Sequence, residues 1–244
     1  MTYCVGMKLD SGLVFMSDTR TNSGVDNIST FRKMHSFEKP GERYITIMTA
    51  GNLATTQSVI SMLAERTKAP EERNPSILAA ASMFQVAQII GDLLRETIRT
   101  REQTGLNAET TFNATLIVGG QIKGMEPRLF MIYPEGNFIE ASEDTPFFQI
   151  GETKYGRPIL VRGFQSDMSF ESAVKLLMVS FDSTMAANLS VALPLDMLLL
   201  PRDRFEPLQK RRIAEDDPYY RSVSDKWSDA LRSAFHSLPD YTIE

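Results

Sequence analysis

The chain contains a single cysteine, Cys4, so no intramolecular disulfide can form, and such sparing use of thiols suits a reducing compartment. Histidine is almost as scarce. His35 and His236 are the two present, and neither stands in the spacing that a zinc site or a Ser/His/Asp triad needs. No window holds the roughly eighteen consecutive apolar residues of a membrane span, and no basic region followed by an apolar run opens the chain. A cytoplasmic protein is therefore expected, with no metal and no cofactor. Positive charge is also short: Lys plus Arg total 26 against 31 for Asp plus Glu, a net charge of -5, which gives no electrostatic reason to expect a nucleic-acid partner. The basic run Lys210, Arg211, Arg212 is flanked by Glu206, Glu215, Asp216 and Asp217 and reads as a solvated surface segment. No G-x-x-x-x-G-K-[ST] loop is present, so ATP hydrolysis by this chain is not expected.

What the sequence does contain is ordinary for a globular domain, with 42% hydrophobic and 23% charged residues among 244. A chain of this length buries roughly 70 to 75% of the surface its unfolded form exposes, enough for a core without staples. The 13 methionines read as gap fillers in a core or an assembly interface.

Residues 3–8 and 13–18 are β-prone runs separated by Asp10, Ser11 and Gly12, which predicts an opening hairpin with Thr2 at the start of its first strand. An irregular stretch over 19–32 precedes a strand at 44–48. Asn52 then caps a helix marked by Leu53, Val59, Ile60, Met62 and Leu63. Pro70 and Pro75 break it, and Ser76 is read as the cap of a longer second helix. Strands follow at 112–118, 128–133 and 138–141, with Gly119, Gly120, Pro134 and Gly136 as turns. Helical segments are expected at 152–164 and 170–187, and a last strand at 197–200. The order predicts an α+β fold, a four-layer αββα sandwich of two antiparallel sheets between helical layers. Beyond Pro201 the composition turns charged, ending in a short amphipathic helix around Trp227. That helix packs either on its own domain or on a neighbouring subunit.

A threonine hydroxyl is a weak nucleophile at neutral pH and needs a base nearby; a free α-amine, with a pKa of about 7.7 to 8.0, has the right strength. Initiator methionine is generally removed before a small residue, so loss of Met1 would make Thr2 such a residue without self-cleavage. Met followed by Thr is common by chance, so Thr2 alone decides nothing. Asp18 and Arg20 end the second hairpin strand, and a hairpin sets that end level with the start of the first. Lys33 follows the loop Gly24, Val25, Asp26, Asn27. A lysine beside the nucleophile would lower the pKa of hydroxyl and amine, and a carboxylate paired with it would hold it charged.

Thr2, Ser17-Asp18-Thr19-Arg20, Arg32-Lys33 and Thr49-Ala50-Gly51 resemble the catalytic pattern of proteasome β-subunits in order and spacing. The opening Met1-Thr2-Tyr3-Cys4-Val5-Gly6, the run from Asp18 to Lys33, Gly151-Glu152-Thr153-Lys154-Tyr155-Gly156 and Asn188-Leu189-Ser190-Val191 are similar to the bacterial proteasome-related family called Anbu. The resemblance implies the Ntn-hydrolase fold for residues 1–200, with 201–244 as a C-terminal helical extension on the same domain or on a neighbour. It implies that Thr2 attacks an amide carbonyl, that Asp18, Lys33 and Arg20 support it, and that the Gly51 amide serves the oxyanion. Asp182 is the expected supporting aspartate, with Ser183 or Ser190 beside it. Where proteasome subunits carry a serine-bearing segment supporting the amine, this chain reads Gly151-Glu152-Thr153, which sets an acidic residue there.

The resemblance further implies a homo-oligomer, as a ring or ring-like helix, acting on a peptide or protein substrate. Family context adds separate ATP-grasp or transglutaminase-like proteins of a peptide-modification pathway. Two other readings stay open at this level: a ring-forming scaffold with little hydrolytic activity, and an enzyme passing the acyl group to an amine instead of water.

Overall fold

The computed structural model describes residues 2–22, 28–69, 75–104 and 111–243. Met1, the loop 24–27 and Pro70 lie outside them. One sheet holds β1 (Tyr3–Leu9), β2 (Gly12–Asp18), β10 (Phe147–Gly151), β11 (Leu195–Pro201) and β12 (Gln209–Ile213), in the order β10-β1-β2-β11-β12. The other runs β5-β6-β7-β8-β9, from β5 (Met34–Lys39), β6 (Arg43–Gly51), β7 (Ala114–Ile122), β8 (Arg128–Ile132) and β9 (Phe138–Glu140). All pairings are antiparallel. A small ribbon, β3 (Arg20–Asn22) with β4 (Ile28–Thr30), projects between β2 and β5.

Three apolar clusters fix the layers. Cys4, Phe15, Met48, Ile117 and Phe148 fill the space between the sheets. Ile45, Ile47, Leu116 and Phe130 pack outward under α1 (Leu53–Lys68) and α2 (Met83–Thr104), through Val59, Leu63, Ile90 and Leu94. Val5, Met7, Met16 and Leu199 pack under α3 (Arg157–Gly163) and α4 (Phe170–Ala187), through Leu160, Leu177 and Phe181, together with Tyr220 of α5 (Pro218–His236). Each central strand is apolar on both faces because one face meets the opposite sheet and the other meets helices. This is the αββα sandwich.

Local chemistry explains several boundaries. Asn52 caps α1 as expected, its side chain accepting from the Thr55 amide at 3.1 Å. The second helix starts later than Ser76. Ser82 Oγ accepts from the Gln85 amide at 3.2 Å and Gln85 Oε1 reaches back to the Ala81 amide at 2.8 Å, a reciprocal cap that fixes the start at Met83. Gly119 and Gly120 are not turns: both lie inside β7, where a Cβ would stand 2.7 Å from the Phe15 ring or 2.2 Å from Tyr44 O. The reading of 152–164 as helical holds only from Arg157, and the strand β10 before it was not anticipated.

The C-terminal segment joins the same body. β12, the basic run, is an edge strand on β11, with Arg212 forked onto Asp196 at 2.7 and 2.9 Å. Asp217 caps α5 by accepting from the Tyr220 amide at 2.8 Å. Among the described residues, no helix is long and apolar enough to cross a membrane.

Candidate active site

The hairpin places Thr2, at the entry to β1, near the end of β2: Cys4 pairs with Ser17, and Asp18 reaches one step further. Asp18 Oδ1 accepts from the Tyr3 amide at 2.9 Å and from Lys33 Nζ at 2.8 Å. Both side chains are buried, Asp18 at 0% and Lys33 at 4% exposure. Lys33 Nζ also donates to the Arg20 carbonyl at 2.6 Å. Its own carbonyl accepts from the Thr49 amide at 3.0 Å, which ties the lysine to the end of β6. Across the inter-sheet core, Cys4 Sγ lies 3.8 Å from Thr49 O, so the end of β6 faces the start of β1.

Thus Thr2, Asp18, Lys33 and the Arg20 main chain gather at one corner of the sandwich. Arg20 contributes its carbonyl, while its Nε is buried without a partner among the described residues. Asp18 Oδ2 is likewise unpartnered there. Burial pushes the Asp18 carboxyl up to about 6, against the pull of Lys33 and of the Tyr3 amide in the other direction. Gly51 ends β6 at an exposed junction with α1, at φ +109°.

The opposite side of the corner is built by β10. Tyr3 pairs with Gly151, and the Glu152 amide donates to Thr2 O at 2.6 Å. Gly151 has φ +85°, and a Cβ on it would stand 1.9 Å from Thr2 O; only glycine lets the two chains approach this closely. The Tyr3 ring stacks on Phe181 at 4.4 Å, and its hydroxyl meets Ser180 Oγ and Gln149 Nε2, each at 2.7 Å. Burial drives that phenol up to about 12, so it stays neutral. Thr2 is therefore held by the residue after it on one side and by Glu152 on the other.

Asp182 has its partner in the C-terminal helix. It lies on α4 and accepts from the Tyr220 hydroxyl of α5 at 3.0 Å, which reinforces the upward push that burial gives that phenol. Ser183, half-buried, is the next residue of the same helix. Ser190 follows the helix end and donates its amide to Asn188 Oδ1 at 3.0 Å. Sequence reasoning gave no role to Tyr3 or Asn188. The signal for Tyr3 was a polar aromatic in an otherwise apolar strand, and for Asn188 an amide residue just past a helix end.

The proteasome subunit family profile matches residues 2–191. A proteasome subunit beta from Methanopyrus kandleri is 26% identical over 176 residues, covering 72% of this chain and 75% of that protein. Anbu (ancestral beta-subunit) from Yersinia bercovieri superposes with a TM-score of 0.92 at 48% identity, over all of both chains. Anbu from Pseudomonas aeruginosa, solved as a helical assembly, gives 0.92 at 45% identity, over 99% of this chain and 98% of that one. With its sequence and fold matched in this way, the chain belongs to the proteasome subunit family, in its Anbu branch.

Proposed function

We propose that the chain is an N-terminal threonine hydrolase acting on amide bonds of peptide or protein substrates. The observation that carries this is the buried Lys33–Asp18 pair, 2.8 Å apart, tied to the amide of the residue following Thr2. A buried ion pair is a poor source of stability, since desolvation offsets the attraction. Its placement beside a residue that can become N-terminal gives it a chemical use.

Removal of Met1 frees the Thr2 amine. Thr2 Oγ then bonds to the substrate carbonyl carbon as its proton passes to that amine. Lys33 favours the developing alkoxide, with Asp18 holding the lysine charged and oriented and the Gly51 amide meeting the oxyanion. The amine's proton goes to the departing nitrogen, leaving an ester on Thr2, and water then cleaves that ester to return the hydroxyl. The helical assembly of the Pseudomonas relative supports a homo-oligomer, ring-like or helical, for this chain.

The test is intact mass after treatment with an epoxyketone, which captures hydroxyl and amine of an N-terminal threonine together. Wild type lacking Met1 should gain one adduct, and Thr2→Ala none. A wild-type protein that has lost Met1 yet gains no adduct would count against the hydrolase reading and for a scaffold.

A further inference from the structure

Besides Asp18 and Lys33, one more buried charged residue neighbours Thr2. Glu152 is 8% exposed, and its amide is already bound to Thr2 O at 2.6 Å. Its Oε2 accepts from Asn188 Nδ2 at 2.9 Å and its Oε1 from the Lys154 amide at 3.3 Å. Asn188 is oriented in turn, because its Oδ1 accepts the Ser190 amide and so leaves the nitrogen facing the carboxylate. Among the described residues Glu152 is in no ion pair. A carboxylate held by neutral donors is stabilised when a cation forms next to it.

We infer that Glu152, held by Asn188, is a positioning residue whose charge favours the protonated form of the Thr2 α-amine. This rests on the reading of Thr2 as the nucleophile with its amine as base. During attack the hydroxyl proton moves to the amine while the Oγ–C bond forms, so an ammonium appears where an amine stood; the proton then leaves with the departing nitrogen. The corner carries charges of both signs. Asp18 from β2 and Glu152 from the β10–α3 connection favour the ammonium; Lys33 and Arg20 oppose it. The neighbouring Tyr3 phenol is neutral, and Asp182 on α4 is engaged by Tyr220. Without Glu152 the pair Lys33 and Arg20 would face Asp18 alone, and the amine would be a weaker base.

The experiment uses the full chain, with Met1 removed by a methionine aminopeptidase and its loss verified by mass, as wild type, Glu152→Gln and Glu152→Asp. Trace acylation of the N-terminal amine across pH, read by peptide mass, gives its titration midpoint without requiring hydrolysis. Glu152→Gln should lower the midpoint by about half a pH unit or more, about threefold in proton affinity. The acid limb of epoxyketone adduct formation should move down with it, and Glu152→Asp should restore most of the shift. An unmoved midpoint in folded Glu152→Gln, or in Glu152→Asp an effect as large as in the amide, overturns the assignment. Should the midpoint shift while wild type forms no adduct, Glu152 is confirmed as the amine's partner and the hydrolase reading alone fails.

Discussion

At the N-terminal corner the groups that would prefer water are buried, whereas at the C-terminus the groups that would prefer burial face solvent. Asp18 and Lys33 are almost fully enclosed, while Leu231, Phe235 and Leu238 are 50%, 72% and 63% exposed. Both arrangements cost folding free energy, by desolvation in one case and by apolar hydration in the other. The corner recovers part of its cost within the chain, through hydrogen bonds to Tyr3 and Arg20. The helix end does not. The first arrangement makes sense for chemistry inside one subunit and the second for contact between molecules, so the two regions should respond differently to substitution.

The largest effect is expected from Lys33→Met. Removing the ammonium should slow epoxyketone adduct formation about 100-fold or more, the scale seen when one preorganised charge-stabilising group is lost. It should also lower stability by about 3 kcal/mol at neutral pH, because Asp18 is left buried without its counter-charge. Chemical denaturation at several pH values checks the cause. The Asp18 carboxyl lies near 6 in the folded state, above its ordinary 3.8, so the native protein binds more protons than the unfolded chain between those values. Stability from this group is full below about pH 4 and falls as pH rises towards 6. In Lys33→Met the carboxyl loses its main lowering influence, so the variant's deficit should shrink steadily on acidification. In wild type, adduct formation should fall with protonation of the Thr2 amine and then fall more steeply through about pH 6, when Asp18 protonates and the pair is lost; a decline that follows the amine's titration alone down to pH 5 would sink the proposed role of the pair.

The comparison also explains what could be read from the sequence. The opening hairpin, with Asp18 set beside the start of β1, follows from two β-prone runs and a turn cluster, because a hairpin's register is local. The αββα order follows from the same kind of periodicity. Short edge strands were missed: β5 and β12 carry polar or charged residues that a solvated loop would also carry, and β10, though apolar, is only five residues long and pairs with the distant β1. Asp182 was placed by family resemblance, yet its partner is a tyrosine far along the chain, which no local pattern announces. Glu152 was seen as an acidic departure, but its latch to Asn188 joins the β10–α3 turn to the end of α4 and becomes visible only in three dimensions.

Tyr220→Phe separates the two regions at their join. The Tyr220 hydroxyl bonds Asp182 at 3.0 Å, and removing it should cost about 1 kcal/mol of stability. Because the bond lies between α4 and α5, adduct formation at Thr2 should stay within about twofold of wild type. A loss of tenfold or more at unchanged stability would return Asp182 to the site.

The smallest effect on the fold is expected on the exposed apolar face of α5. Trp227, Leu231 and Phe235 recur every four residues, so they share one face of α5, and Leu238 continues that direction past the helix end. Phe235→Asp removes little buried area within the subunit, so its stability should change by less than about 0.5 kcal/mol. Assembly should respond far more, since a carboxylate introduced on an interfacial apolar stripe must be desolvated in every contact made. Light scattering would then report smaller species at a given concentration, with far-ultraviolet circular dichroism unchanged. If the size distribution is that of wild type, the exposed stripe is not part of the contact between copies. The cost of its exposure would then have to be offset elsewhere, by a different partner, and the contrast with the N-terminal corner would rest on chemistry alone.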